Sequence, residues 1–359
     1  MSEPTNRKRS YATIRDVAAK AQAGKTSISR YLNGEFHLLS DDLRQRIESA
    51  IQELEYRPNQ MARSLKYGRT RLIGLIIADI SNPFSVEVLK GVEAESIKQG
   101  FMTVVCNARN SIELECEFLN LLNGYRVDGL IINSAGINAH FLQALKATTL
   151  PFVLLDRKID DFPCDMVGLD NPQAAQLATN HLIEQGFEAL LFLTEPVRYI
   201  SARQERLQTF HQMLEQHPHI KGESHEVVLP APDEIDRLIA EFCANHRGMR
   251  KAVIAANGVL TLQVAQALSR LGLNWGSDIG FLSFDNLEWA ALAGKGITSV
   301  SQPTSEMGRK AVTCLLDKLD KPDHPPAQYL FNGELIIRGS TTVTVQRDGI
   351  DYLNETIVP

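Results

Sequence analysis

At 359 residues, 44% hydrophobic and 22% charged, the chain has material for two or three domains with ordinary buried cores. No apolar run reaches the ~18 residues of a membrane span, MSEPTNRKRSY has no apolar stretch of a secretory signal, and five scattered cysteines without a C-x-x-C fit a reducing cytoplasm rather than a zinc ribbon or disulfide framework. The net charge of −6 is unevenly split: residues 1–71 hold 14 Lys/Arg against 8 Asp/Glu and the remainder 23 against 35, so a head at +6 precedes a body at −12, and a basic head of this kind is expected to meet a polyanion.

In chain order, Asn6 to Arg9 is a basic arm. Thr13 followed by Asp16 is close to a capping box, so a helix is expected from there to Lys20 or Ala21, with Val17, Ala18 and Ala21 on one face. Gln22-Ala23-Gly24 interrupts it. A second short helix fits Lys25 to Asn33, with Ile28, Tyr31 and Leu32 inward and Lys25, Thr26, Ser27, Ser29, Arg30 and Asn33 outward. Ser40 caps a third helix with the stripe Leu43, Ile47, Ile51 and Leu54. Three short helices with a three-residue turn between the first two make an all-α helix-turn-helix head. The second helix presents small polar and basic groups, which suits entry into a DNA major groove.

Arg57-Pro58-Asn59 is expected to end the third helix, because proline disfavours helix in the residue before it. Asn59 can then cap a very short helix through Leu65, too short to be stable alone in water. Arg63, Lys66, Arg69 and Arg71 make this connector basic.

Beyond it, β-branched apolar runs alternate with helical patterns: residues 72–79, 101–107, 128–133, 151–156, 189–195, 251–257 and 278–285. That alternation indicates α/β architecture with parallel sheets, and so many strands indicate two similar lobes. Asp79, Asn133, Asp156, Asn257 and Asp285 all fall at strand C-terminal ends, where ligands bind in open α/β sheets. Singly each reads as a turn or helix cap; together they describe a cleft.

TIRDVAAKA, KTSISRYLNG and LRQRIESAIQELEYRPNQMARSLKYGRTRLIGLIIADISNPF resemble the LacI/GalR family of bacterial transcription regulators. The resemblance continues to about Thr342. It implies a helix-turn-helix head at 1–57, a hinge helix and linker at 58–71, and a Rossmann-like, two-lobed sensor resembling periplasmic binding proteins at 72–342. The N-lobe would take about 72–169 and 303–330, the C-lobe about 170–302 and 331–342, and 343–359 is a tail. It implies operator contacts from Thr13, Lys25, Thr26, Ser27, Ser29, Arg30, Asn33 and His37. In the hinge, Asn59, Ala62, Arg63 and Leu65 would act on DNA, Leu65 as a wedge in the minor groove. Where the family has A-G-V-S this chain has Ala21-Gln22-Ala23-Gly24, so Gln22 must take the left-handed backbone at a cost of roughly 1–2 kcal/mol, and Gly24 replaces a serine cap.

For the sensor, the resemblance implies effector contacts from Asn82, Phe84, Asp156, Arg157, Ser201, Asn257, Asp285 and Gln302. SARQERL matches a family segment whose arginine grips the ligand; Arg206 matches it best, and local spacing leaves Arg203 open. The A-N-D of the family is Ala256-Asn257-Gly258 here, and no aromatic stands near Leu229 to Pro232 to stack on a sugar. Three arginines suit a sugar acid, since arginine holds carboxylate at two points. DMVGLDN and SARQERLQTF resemble the subgroup that controls use of 2-ketogluconate and related sugar acids; a neutral sugar, a nucleoside-type effector or a ligand-activated regulator is the alternative. No GxGxxG, P-loop, H-E-x-x-H or G-x-S-x-G occurs, so no enzyme, cofactor or metal is expected. The resemblance implies a cytoplasmic homodimer on palindromic operator DNA, not a membrane protein; the tail lacks a leucine heptad that would favour a tetramer.

Overall fold

Capping sets where the first helix begins. The Thr13 hydroxyl accepts from the Asp16 amide, and the Asp16 carboxylate accepts from the Thr13 amide at 2.7 Å and from its hydroxyl at 2.8 Å, so two orphan amides at the N-terminus of α1 (Ile14–Lys20) are met. The computed structural model describes residues 12–57, 68–159, 162–342, 345–347 and 350–352. The chain divides into two compact units at Thr70/Arg71.

In the first unit, Gln22 has a positive φ of 49°, as its place in the turn requires. Gly24 is the N-cap of α2 (Lys25–Leu32) and gives it no side-chain bond. A 3₁₀ turn, Phe36–Leu38, follows and was not anticipated. Phe36 meets Tyr31 edge-on, with ring centroids 5.4 Å apart, and lies under the Arg44 guanidinium at 4.6 Å. Ser40 caps α3 (Asp41–Glu53) by accepting from the Leu43 amide at 3.3 Å. Val17, Ala18, Ala21, Ile28, Ile47 and Ala50 form the buried centre, with Leu43, Ile51, Leu54 and Tyr56 packed against it. The third helix does not run to Arg57-Pro58-Asn59. It ends at Glu53, because Glu55 turns left-handed at φ 45° and the Tyr56 amide folds back to the Ile51 carbonyl at 3.0 Å. The backbone has closed the helix before the proline is reached. The hinge residues Asn59, Ala62, Arg63 and Leu65 lie outside the described residues.

The second unit holds two six-stranded sheets. Strands β1 (Leu72–Ile77), β2 (Met102–Asn107), β3 (Gly129–Asn133), β4 (Phe152–Leu155) and β5 (Asp165–Leu169) join β11 (Gln328–Phe331) in the order β11-β5-β4-β3-β1-β2, all parallel. The second sheet takes β6 (Ala189–Thr194), β7 (Lys221–Glu226), β8 (Lys251–Ala255), β9 (Gly280–Phe284), β10 (Thr298–Ser301) and β12 (Glu334–Ile336), ordered β12-β10-β9-β8-β6-β7. Its edge strand β12 runs antiparallel to β10, a departure from two wholly parallel sheets. A short antiparallel pair, β13 (Val345–Arg347) and β14 (Ile350–Tyr352), lies in the tail.

Strands buried on both faces explain the apolar runs. Ile73, Leu75 and Ile77 face α4 (Pro83–Lys98) and α11 (Thr304–Asp320), while Ile76 faces α5 (Ile112–Gly124) and α6 (Ala139–Ala147). In the second sheet Leu191 and Leu193 pack with α9 (Pro232–Asn245) and α10 (Gly258–Arg270), and Leu190 and Phe192 with α7 (Asn171–Glu184) and α8 (Ser201–Gln216). The chain crosses between the sheets three times, after β5, β10 and β11. The crossings are tied together: the Asp170 amide donates to the Phe331 carbonyl at 2.8 Å, and the Gly333 amide donates to Gln173 Oε1 at 2.9 Å.

Candidate functional site

Two sets of residues carry chemistry, one in each unit. On α2, Lys25 and Thr26 are exposed and Ser27, Ser29, Arg30 and Asn33 half-exposed, while Ile28 is buried beneath them. The helix therefore offers basic and short hydroxyl groups from its N-terminal turn, Arg30 from its last turn and the Asn33 amide at its C-cap, the inventory that reads base edges and phosphates. Asn33 donates to Glu35 at 3.4 Å, and His37 is exposed on the 3₁₀ turn. The Thr13 hydroxyl is engaged in the α1 cap, and that residue is exposed.

In the second unit the carboxyl ends of both sheets open onto one cavity of about 300 Å³. Asp79, Asn133, Asp156, Asn257 and Asp285 all line it, because parallel strands deliver their following residues to the same side. Asn82, Phe84, Arg157, Arg203, Arg206 and Gln302 line it too. Of the expected effector residues only Ser201 is off the wall: its hydroxyl accepts from the Lys158 amide at 2.9 Å. Both candidate arginines of the SARQERL segment reach the cavity.

Several of these side chains also hold the local fold. Asn82 caps α4 by accepting from the Phe84 amide at 3.0 Å, and Asn257 caps α10 by accepting from the Leu260 amide at 2.9 Å. Asp79 turns the chain through the Ser81 amide at 2.9 Å. Asp285 takes over at the altered A-N-G segment, accepting from the Gly258 amide at 2.8 Å; a Cβ at 258 would crowd that carboxylate and Leu287. Asp156 and Asp285 follow β4 and β9, one in each sheet, and both have positive φ, 68° and 74°. Non-glycine residues held there cost energy and mark sites where side-chain aim matters.

Arg206 is buried, stacked 4.5 Å over the Phe284 ring, and donates to Asn171 Oδ1 at 2.8 Å and the Ala256 carbonyl at 2.7 Å. Arg157 donates to the Ser134 carbonyl. Its Nε lies 3.9 Å from Asp156 Oδ2 and makes no hydrogen bond, and neither does the buried Gln302 Oε1. Gln302 Nε2 donates to Asp285 Oδ1 at 2.5 Å. Burial pushes the Asp156 carboxyl up from its ordinary range, opposed by Arg157 and Arg206; burial likewise pushes both arginines down, opposed by Asp156. Buried charges in such a setting are sustained by one another, and a polar ligand could meet the donor and acceptor left without partners.

Sequence reasoning missed Glu195, Asn110 and Gln263, which also line the cavity. Glu195 directly follows β6, so the rule that found five strand-end residues would have found a sixth. Asn110 comes from a loop, where it donates to Asp79 Oδ2 at 2.9 Å, and no sequence period marks it. Gln263 sits on α10 among residues that read as an ordinary helix. Leu229 and Pro230 line the wall, so the stretch from Leu229 to Pro232 brings no aromatic ring to it.

Among the described residues no cluster of His, Cys, Asp or Glu is arranged to hold a metal ion, and no helix is long and apolar enough to cross a membrane.

Compared with known proteins, residues 13–59 match the family model of bacterial regulatory proteins, lacI family, and residues 179–341 match a periplasmic binding protein-like domain. The HTH-type transcriptional regulator PtxS of Pseudomonas aeruginosa is 43% identical over 334 residues, covering 93% of this chain and 96% of that one. The HTH-type transcriptional regulator KdgR of Bacillus subtilis is 35% identical over 331 residues, covering 92% and 98%. Among solved structures, a complex of the transcriptional regulator CelR with cellobiose superposes with a TM-score of 0.66 at 26% identity, covering 92% of this chain and 99% of that one. The lac repressor dimer bound to operator and the anti-inducer ONPF superposes with a TM-score of 0.81 at 23% identity, covering 93% and 100%, a likeness of fold.

Proposed function

We infer the function from one premise, that the chain belongs to the LacI family of bacterial regulatory proteins. It is a DNA-binding transcription regulator whose sensor answers to a small molecule. In finer terms, we propose a cytoplasmic repressor of sugar-acid catabolism genes, working as a homodimer with two heads on a palindromic operator. Residues 1–57 read the DNA, 58–71 form the hinge, and 72–342 sense 2-ketogluconate or a related sugar acid. Ligand in the cavity and operator at the head are then linked by a coupling free energy.

The observation that supports this reading most is the wall shared by Arg157, Arg203 and Arg206 with Asp156 and Asp285. Guanidinium groups suit a carboxylate, and aspartates suit the hydroxyls of the same molecule. A second reading has its own support. Four carboxylates, Asp79, Asp156, Glu195 and Asp285, line the cavity with these three arginines, a balance that also suits a neutral polyhydroxy sugar.

The deciding experiment is operator binding at fixed, stated salt, with and without 2-ketogluconate, gluconate and glucose. The acids should change operator affinity and glucose should not. Arg206→Ala should keep operator binding without ligand and lose the response. No change with any compound, together with an Arg206→Ala protein that matches wild type, would overturn the sensor reading.

A further inference from the structure

We propose that Glu195 is an internal stand-in for the ligand's carboxylate, occupying the acid subsite of the cavity until a sugar acid displaces it. This rests on the sugar-acid reading of the cavity and goes beyond it, by naming the subsite and the group that guards it.

The geometry is specific. Arg203 Nη2 lies 2.8 Å from Glu195 Oε2, and Asn257 Nδ2 donates to that same oxygen. A guanidinium and a carboxamide converging on one carboxylate oxygen form the reception that an incoming acid needs. Both donors are held in place without Glu195. Arg203 Nη1 donates to the Pro196 carbonyl at 3.0 Å, and Asn257 Oδ1 accepts from the Leu260 amide at 2.9 Å. The subsite is therefore set in advance, while among the described residues the Glu195 carboxylate is held by these two donors.

The other two arginines are differently committed. Arg206 is fixed by Asn171 and the Ala256 carbonyl, and Arg157 by the Ser134 carbonyl. Arg203 is the guanidinium whose charged partner sits on a side chain still 20% exposed, able to turn outward into solvent. A carboxylate cannot share the subsite with Glu195, since two like charges at contact repel strongly. A neutral sugar can enter beside it, donating its hydroxyls to the glutamate. Glu195 thus opposes acids selectively and raises the concentration at which they are sensed, by repulsion rather than by attraction.

The test measures binding of gluconate, 2-ketogluconate and glucose to the full chain by calorimetry, in wild type, Glu195→Gln and Glu195→Ala. Removing the competing charge should tighten the acids roughly tenfold in both variants, the scale of one like-charge contact, while glucose, which loses a hydroxyl acceptor, should bind no tighter than to wild type. If the acids bind wild type and both variants equally, or the variants more weakly, Glu195 is a brace or a hydroxyl acceptor and the stand-in proposal fails alone. If no protein binds the acids while glucose binds, the sugar-acid reading fails and takes the proposal with it. Circular dichroism melts of the variants separate loss of folding from loss of binding.

Discussion

Gln22 occupies a left-handed backbone position at the turn between α1 and α2. Its departure from glycine was legible in sequence, and so was its cost, because the turn geometry demands positive φ whatever residue is present. Gln22→Gly should stabilise the head by about 1 kcal/mol and slow hydrogen exchange of the α1 and α2 amides about fivefold; unchanged exchange would remove the strain. Two buried titrating groups were not legible. Glu115 on α5 is fully buried, accepting from Ser134 Oγ at 2.9 Å and the Ala135 amide at 3.0 Å, with Oε1 left without a partner. Burial pushes its carboxyl up to about 7. The folded value lies above the unfolded one, so this group's contribution is full below the ordinary carboxylate value and is lost as pH rises through about 7. The loss is of order 3 kcal/mol. His181 runs the other way. Buried beside Thr341, whose Oγ1 lies 2.7 Å from its Nε2, it falls to about 4. Its contribution is full above the ordinary imidazole value and lost as pH falls through about 4. Denaturant titrations across pH 5 to 8 should therefore show Glu115→Gln gaining on wild type as pH rises; a constant difference would contradict the buried-carboxyl account.

Among the elements, those buried on both faces were the easiest to read. β1, β3, β6, β8 and β9 announce themselves as apolar runs because two layers of helix cover them. The edge strand β7, KGESHE, has only polar and glycine residues and gives no such signal; its pairing with β6 defines it. The end of α3 was misplaced for a related reason, since left-handed closure at Glu55 is a backbone event that the proline only follows. One close approach could not be foreseen. α4 and α11 meet through Gly91 and Gly308, where a Cβ on either would strike the backbone of the other helix, at Ser305 or at Val88. α4 begins next to Asn82 and α11 just after Gln302, both on the cavity wall. Gly308→Ala should cost at least about 2 kcal/mol by overpacking and also weaken effector binding, as thermal melts and calorimetry would register. A variant as stable as wild type would mean that the two helices separate freely.

For the molecule as a whole, function depends on an equilibrium that ligand and DNA both bias. A sugar acid at a hundred times its dissociation constant should stabilise the native chain by about 2.7 kcal/mol if it binds only the folded form, and scanning calorimetry reads that as a raised melting temperature. Arg206→Ala should abolish the rise, and a rise that persists would place the ligand elsewhere. Sedimentation should give a dimer; a stable tetramer would contradict the reading of the tail.

The sequence by itself determined the basic head and acidic body, the capped helices, the buried strands, and five polar residues at strand ends. These are local properties: capping, periodicity and charge are written over a few consecutive residues. Tertiary structure decided what those residues share. It brought the ends of two sheets to one cavity, set Glu195 against Arg203 and Asn257, buried Glu115 and His181, and joined α4 to α11 through two glycines. Each of these depends on partners far apart in the chain, and only the packing of the elements brings them within reach.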